Sequence, residues 1–113
     1  MLTEELKNKI VDSLRESDPY KIILFGSYAS GTSGIDSDID LFIVTKEEKM
    51  PENYANKIAM KLKVSKYVDV IRKEYPVDLI VQTKSMYEKF MSSGSLFSKE
   101  IISKGQILYE ANE

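Results

Sequence analysis

Asp38 and Asp40 stand two residues apart in Ser37-Asp38-Ile39-Asp40-Leu41-Phe42-Ile43-Val44, and the apolar run around them reads as a strand. Residues i and i+2 of a strand project from one face, so the two carboxylates share a side. Two anions held that close repel each other unless a cation or a proton lies between them. The chain contains no His and no Cys, so the matching cation is hard and oxygen-seeking: Mg²⁺, with Mn²⁺ as the alternative. Magnesium keeps several waters and borrows ligands from phosphate oxygens, so a few carboxylates suffice. A third acid, Asp78, interrupts the apolar run Pro76-Val77-Asp78-Leu79-Ile80-Val81. With that run beside the Asp40 strand, three carboxylates converge. Two ions about 3.5–4 Å apart there would activate a hydroxyl and hold an α-phosphate for in-line displacement. Gly26-Ser27 closes the preceding run Ile22–Phe25. Glycine lets backbone approach a phosphate closely, and the Ser27 hydroxyl with nearby N–H groups offers donors to triphosphate oxygens. Ser37, beside Asp38, is counted with Gly26 and Ser27 as a candidate nucleotide-binding residue.

Taken singly, each part also reads as ordinary surface structure. Asp-x-Asp is common in turns, Gly-Ser commonly ends a strand, and an acid such as Asp78 is often solvated at a sheet edge. Their order and combination carry the signal. Asp69, in Tyr67-Val68-Asp69-Val70-Ile71, competes for the third position, and Asp78 is preferred because its flanks form the cleaner strand.

Composition bounds the rest. A chain of 113 residues is long enough for one core, and a single domain over 1–113 is expected. Sixteen basic against eighteen acidic residues give a net charge of −2, which excludes a strongly basic nucleic-acid coat. Without Cys or His there is no disulfide scaffold, thiolate nucleophile or Ser-His-Asp triad, and the composition suits a reducing, cytoplasmic setting. No apolar run approaches the roughly 20 residues of a membrane helix, and Met1-Leu-Thr-Glu-Glu lacks a signal peptide's basic start.

The elements that must position these residues follow from periodicity. Leu2, Leu6, Ile10 and Leu14 predict an N-terminal helix capped by Thr3, ended by Ser17-Asp18-Pro19. Strands are predicted at Ile22–Phe25, Ile39–Val44 and Val77–Val81, with a terminal strand near Ile107–Tyr109, and Gly26–Asp36 reads as a glycine-rich loop. Pro51 is placed to open a helix. That helix carries Tyr54, Ile58 and Leu62 on one stripe and Met60, Val64, Val68 and Ile71 on a second, running to about Lys73 or breaking near Ser65. Ser85 and Glu88 suggest a capping box for a helix to Gly94, and a short helix follows from Ser95 to Ser103. Interleaved helices and strands in so short a chain predict an α/β (α+β) fold, a small mixed sheet flanked by helices. The first two strands are expected to pair antiparallel, with the third beside the second.

The stretch from Gly26-Ser27 to Asp38-Ile39-Asp40, followed by an acid on a later strand, resembles the signature of the nucleotidyltransferase superfamily related to DNA polymerase beta. It is most similar to the minimal nucleotidyltransferase domains, which are about this size, and the resemblance covers nearly the whole chain through Gly105-Gln106-Ile107-Leu108-Tyr109. It implies the nucleotidyltransferase fold, ATP or another nucleoside triphosphate as substrate, Asp38, Asp40 and Asp78 as catalytic, metal-binding acids, and Gly26-Ser27 at the phosphates. Ser30 departs from the pattern, because many relatives have Arg there, and its loss removes a possible phosphate contact.

The resemblance also implies a partner. Minimal domains of this kind are often encoded beside a small all-helical protein and act as its antitoxin, by binding it, by adding AMP to it, or both. A hetero-complex of that type or a homo-oligomer is therefore expected, because so short a chain leaves little material for a second substrate pocket. Leu96-Phe97 and Ile107-Leu108-Tyr109 are candidate contact surfaces or closures of the core. Residues 46–73 hold eight basic residues against four acids, a local excess of +4 against −6 elsewhere. This segment reads as a solvated face, or as a surface for RNA or an acidic protein.

Overall fold

The computed structural model describes residues 2–34 and 36–112. A four-stranded mixed sheet of order β3-β2-β1-β4 contains β1 (Lys21–Phe25), β2 (Ile39–Val44), β3 (Val77–Gln82) and β4 (Gln106–Glu110). β1 runs antiparallel to β2 and to β4, and β2 runs parallel to β3. The antiparallel β1–β2 pair and the place of β3 beside β2 follow the expectation from sequence, and the pairing of β4 on the outer side of β1 completes the sheet.

Alternation along the strands builds two apolar layers. Ile22, Leu24, Ile39, Leu41, Ile43, Leu79 and Val81 project to one face, where they pack with Leu6, Ile10, Leu14, Met60, Val64, Val68 and Ile71. Ile23, Phe42 and Val44 project to the other, where Ile101, Tyr87, Phe90 and Met91 meet them. Covering on both faces explains why β2 is apolar at five of its six positions, Asp40 being the exception.

Helix α1 (Glu4–Arg15) buries Leu6, Ile10 and Leu14, and Thr3 Oγ1 accepts from the Leu6 N–H at 3.1 Å, as predicted. The glycine-rich loop begins with a short helix, α2 (Gly26–Ser30). The next helix does not begin at Pro51. Asn53 Oδ1 accepts from the Asn56 N–H at 2.8 Å, supplying the acceptor that free helical donors need, and α3 spans Tyr54–Ser65. It breaks at Ser65 into a 3₁₀ turn (Lys66–Val68) and α4 (Asp69–Arg72), and Arg72 Nη1 donates to Ser65 Oγ across the break at 2.7 Å. Of the two stripes, only Met60, Val64, Val68 and Ile71 enter the core. Tyr54, Ile58 and Leu62 face outward, Tyr54 and Leu62 with 76% and 64% of their surface exposed.

Helix α5 (Lys84–Ser92) is capped by the fully buried Thr83, which accepts from the Met86 N–H, rather than by the Ser85/Glu88 box. Ser85 Oγ instead donates to the Glu48 carbonyl, tying the β2–α3 connection to α5. Helix α6 (Leu96–Lys104) is capped by Ser95, and its first two residues divide. Phe97 packs edge-on against Phe25 and Phe90 with ring centroids 5.4 and 5.3 Å away, while Leu96 is exposed. At the C-terminal strand Leu108 and Tyr109 pack on the core and Ile107 faces outward.

The division of the two α3 stripes gives a direct test by urea unfolding. Ile10→Ala, which empties a fully buried site, should cost about 2–5 kcal/mol, whereas Leu62→Ala should stay within about 0.5 kcal/mol of the parent.

Candidate active site

The sheet itself sets the acids side by side. The parallel register pairs Ile39 with Val77 and Asp40 with Asp78, begun by the Ile39 N–H donating to the Pro76 carbonyl at 2.9 Å. Directly paired residues project to the same face, so the Asp40 and Asp78 carboxylates meet at the end of the sheet on the side covered by α5 and α6. Pro76 contributes by sequence as well. It disfavours helix at Tyr75 and so forces the extended backbone that starts β3.

Asp40 is half-buried, and its pKa is pushed up to about 6. Burial is the leading cause, followed by the like charges of Asp78 and Asp38, a side-chain hydrogen bond with Asp78, and the charge of Glu100. Each of these influences disfavours the charged form of Asp40 and so holds its proton more tightly than in a free aspartate. Glu100, on α6, had no signal in the sequence pattern. It enters because Phe97, one turn earlier, packs α6 against Phe25, the residue that pairs with Asp40 in the β1–β2 ladder.

Asp38 precedes β2 and is exposed. Its charge reaches Asp40, but among the described residues no three acidic side chains come within reach of one metal ion. The structure thus brings two of the three predicted acids together and leaves Asp38 beside them, one residue before the β ladder begins. Asp69 is elsewhere, at the start of α4 and 3.4 Å from Arg72 Nη1.

Gly26 is required by contact. Its φ is +74°, and a Cβ added there would overlap Asp40 Oδ2. The backbone of the β1–α2 junction therefore lies directly against the acid. Ser27 follows in the first turn of α2, where the N-cap residue Phe25 provides no side-chain acceptor for the free N–H groups. Two contacts hold this junction, and a glycine ends its helix. Tyr28 is buried and packs perpendicular to Tyr75 with centroids 6.4 Å apart, Gln106 Nε2 donates to the Ala29 carbonyl at 2.8 Å, and Gly31, at φ +78°, ends α2. Ser30 Oγ is 2.8 Å from Thr32 Oγ1, a local contact within the loop. Ser37 Oγ accepts from the Gly34 N–H at 2.8 Å, so its hydroxyl closes a turn before Asp38.

This geometry agrees with the family comparison. Residues 7–108 match the nucleotidyltransferase domain, and the chain belongs to that family. None of the curated proteins matches the chain. Among solved structures it is similar to a toxin-antitoxin crystallised with AMP-PNP, at 26% identity and a TM-score of 0.61, covering 94% of this chain and 74% of that one. Two variants of the MntA-HpeT toxin-antitoxin align at TM-scores of 0.59 and 0.58, with 26% and 21% identity. They cover 99% and 94% of this chain, and 76% and 74% of theirs. The fold is that of the nucleotidyltransferases.

Two consequences are measurable. Because the folded protein binds the Asp40 proton more tightly than the unfolded chain, stability falls as pH rises from about 4 to about 6 and then levels. In chelator-treated protein at pH 7.5, Asp40→Asn should therefore raise stability by about 1 kcal/mol, a figure discounted for solvent at this half-buried site, and the gain should shrink as pH falls through 6. Gly26→Ala should destabilise the fold by about 1–3 kcal/mol and displace the Asp40 carboxylate, seen as an altered Asp40 titration by NMR.

Proposed function

We propose that residues 1–113 act as one minimal nucleotidyltransferase domain. It takes a nucleoside triphosphate, ATP first, and transfers the nucleoside monophosphate to a hydroxyl of a protein or other acceptor. The observation that carries this reading is the Asp40–Asp78 pair, set in register on adjacent strands with the Gly26 backbone packed against it. Family membership supports the class of reaction. The structural neighbours support the toxin-antitoxin part of this reading, and one of them was crystallised with a nucleotide analogue. On that reading the domain acts in the cytoplasm as the antitoxin, in complex with a small all-helical protein.

The residues fit a divalent cation. The donor set is all carboxylate oxygen, and the in-register pairing of Asp40 with Asp78 sets two of the acids side by side at one point of the sheet. Asp40 and Asp78 would hold Mg²⁺ or Mn²⁺, and Asp38, which stands beside the pair, would have to move in to join them; when bound, the ion would neutralise phosphate charge and lower the pKa of an acceptor hydroxyl. The chain's own groups supply the rest. Gly26 lets the α2 backbone come close to the phosphates, Ser27 offers a hydroxyl and N–H to their oxygens, and Ser37 shapes the turn that delivers Asp38. The acceptor oxygen attacks the α-phosphorus, pyrophosphate leaves, and Asp78 takes the hydroxyl proton.

One observation favours a second reading, a binding module with little chemistry that neutralises its partner by contact. Ser30 occupies the position where relatives carry Arg, and Asp38 stands apart from the pair. Isothermal titration with Mg²⁺-ATP should show binding at or below the millimolar range, and no heat there would end the enzymatic reading. With labelled ATP and the co-purified partner, transfer should fall at least about a thousandfold in Asp78→Ala and Asp40→Asn. Label that never appears with the parent protein would favour the binding module.

A further inference from the structure

β3 is an edge strand, and the parallel ladder fixes which of its groups are used. The Ile39 N–H bonds to the Pro76 carbonyl and the Thr45 N–H to the Gln82 carbonyl, so even-numbered residues of this stretch turn their backbone groups toward β2. The N–H and C=O groups of Val77, Leu79 and Val81 point the other way, toward the open edge. An edge of this kind is a template for another strand.

The surroundings of that edge are shaped for one. A groove of about 470 Å³ runs along it, walled by Leu79–Gln82 on one side and by Tyr54, Lys57, Ile58 and Lys61 of α3 on the other. Tyr54 and Ile58 of the outward α3 stripe have no place in the core, yet they wall the groove in which a fifth strand would lie. Gln82, at the C-terminal end of this edge, has a buried Oε1 with no hydrogen-bond partner among the described residues.

Charge selects the occupant. Lys57 and Lys61 are exposed on the groove wall within the segment that carries a local excess of +4. A second copy docked through the same edge would bring two pairs of lysines together, which disfavours a symmetric dimer. A segment with acidic residues matches them.

We propose that an extended, acidic segment of a partner protein adds to β3 as an antiparallel fifth strand, and that this addition delivers the acceptor hydroxyl. The second half rests on the nucleotidyltransferase reading above; the first does not. In an antiparallel pair the residue opposite Asp78 occupies a non-hydrogen-bonded position, because the Asp78 backbone groups are already turned to β2, and its side chain projects to the same face about 4.5–5.5 Å away, Cβ to Cβ. A hydroxyl-bearing residue there stands beside the Asp78 carboxylate. Its neighbours in sequence turn to the α3 side and cover Tyr54 and Ile58, and acids near the segment's N-terminal end reach Lys57 and Lys61, which line the Leu79–Gln82 half of the edge.

The test uses the whole chain without nucleotide and the blocked peptide acetyl-Glu-Glu-Thr-Val-Thr-Val-Tyr-Ser-amide. Amide exchange followed by NMR should show new protection at Leu79 and Val81, which the open edge otherwise leaves to solvent. The double variant Lys57→Glu/Lys61→Glu should bind about tenfold more weakly, and a peptide with Lys-Lys in place of Glu-Glu should recover the affinity for it. N-methylation at both valines of the peptide should abolish protection. Absence of protection at millimolar peptide, equal binding of the N-methylated peptide, or protection that appears on concentrating the protein alone would each overturn the proposal, the last by making a second copy the occupant. Failure of Mg²⁺-ATP to bind in the separate titration would remove the nucleotidyltransferase reading while leaving strand addition standing.

Discussion

Two carboxylates placed in register on neighbouring strands are the constraint around which the molecule is built. Left to themselves, Asp40 and Asp78 would separate into water, and the parallel register of β2 and β3 keeps them paired. What holds them is the apolar remainder of the strands that bear them. Ile39, Leu41, Phe42, Ile43 and Val44 are fully buried, and β2 is paired on both sides. A slip of one residue would turn Asp40 into the layer under α1 and expose Leu41, so the core specifies the face on which the acid appears. Hydrophobic burial worth about 1.5–3 kcal/mol per large side chain outweighs a repulsion of order 1 kcal/mol with ease. The strain is local and the support is distributed.

The second constraint is proximity of backbone to acid. Gly26 has no side chain because Asp40 occupies the space, and the loop that follows is fastened from outside at two separate places. Tyr28 reaches Tyr75 at the entrance of β3, and Gln106 of β4 holds the Ala29 carbonyl. The junction is thereby tied to the strand carrying Asp78 and to the opposite edge of the sheet. A five-residue helix has little stability of its own. Here its position depends on strands at both margins of the sheet, which makes the site a property of the whole fold.

Much of this was legible in the sequence, and the failures have physical causes. The strands β1, β2 and β3 were visible because covered strands are continuous apolar runs, and Asp40 and Asp78 were visible because they interrupt such runs. The start of α3 was misread because proline tolerates the first helical turn without specifying it, while Asn53 supplies the hydrogen-bond acceptor that does. Thr83 was passed over for Ser85 because both precede Met86, and only burial distinguishes a cap from a residue bonded to the Glu48 carbonyl. Two stripes on α3 looked equally suited to the core, since periodicity reports that a face is apolar and not what covers it. Glu100 could not be found at all. It reaches the acids through the packing of Phe97 on Phe25, a tertiary contact with no counterpart in local pattern.

The charge distribution adds a final step. Asp38, Asp40, Asp78 and Glu100 lie toward one end of the sheet, and the Ser30 hydroxyl is engaged with Thr32. On the proposed reading, a bare triphosphate, itself strongly anionic, would meet repulsion from that end, with the neutral groups of Gly26 and Ser27 as its proposed donors. Neutralisation would then come with the ligand, and the species suited to the proposed site would be a nucleotide already carrying its divalent cation. The positive charge the chain does possess is concentrated along residues 46–73, on the flank rather than at the acids. Such a separation lets an anionic nucleotide complexed with cation and an acidic polypeptide approach different parts of one small domain without competing for the same charges.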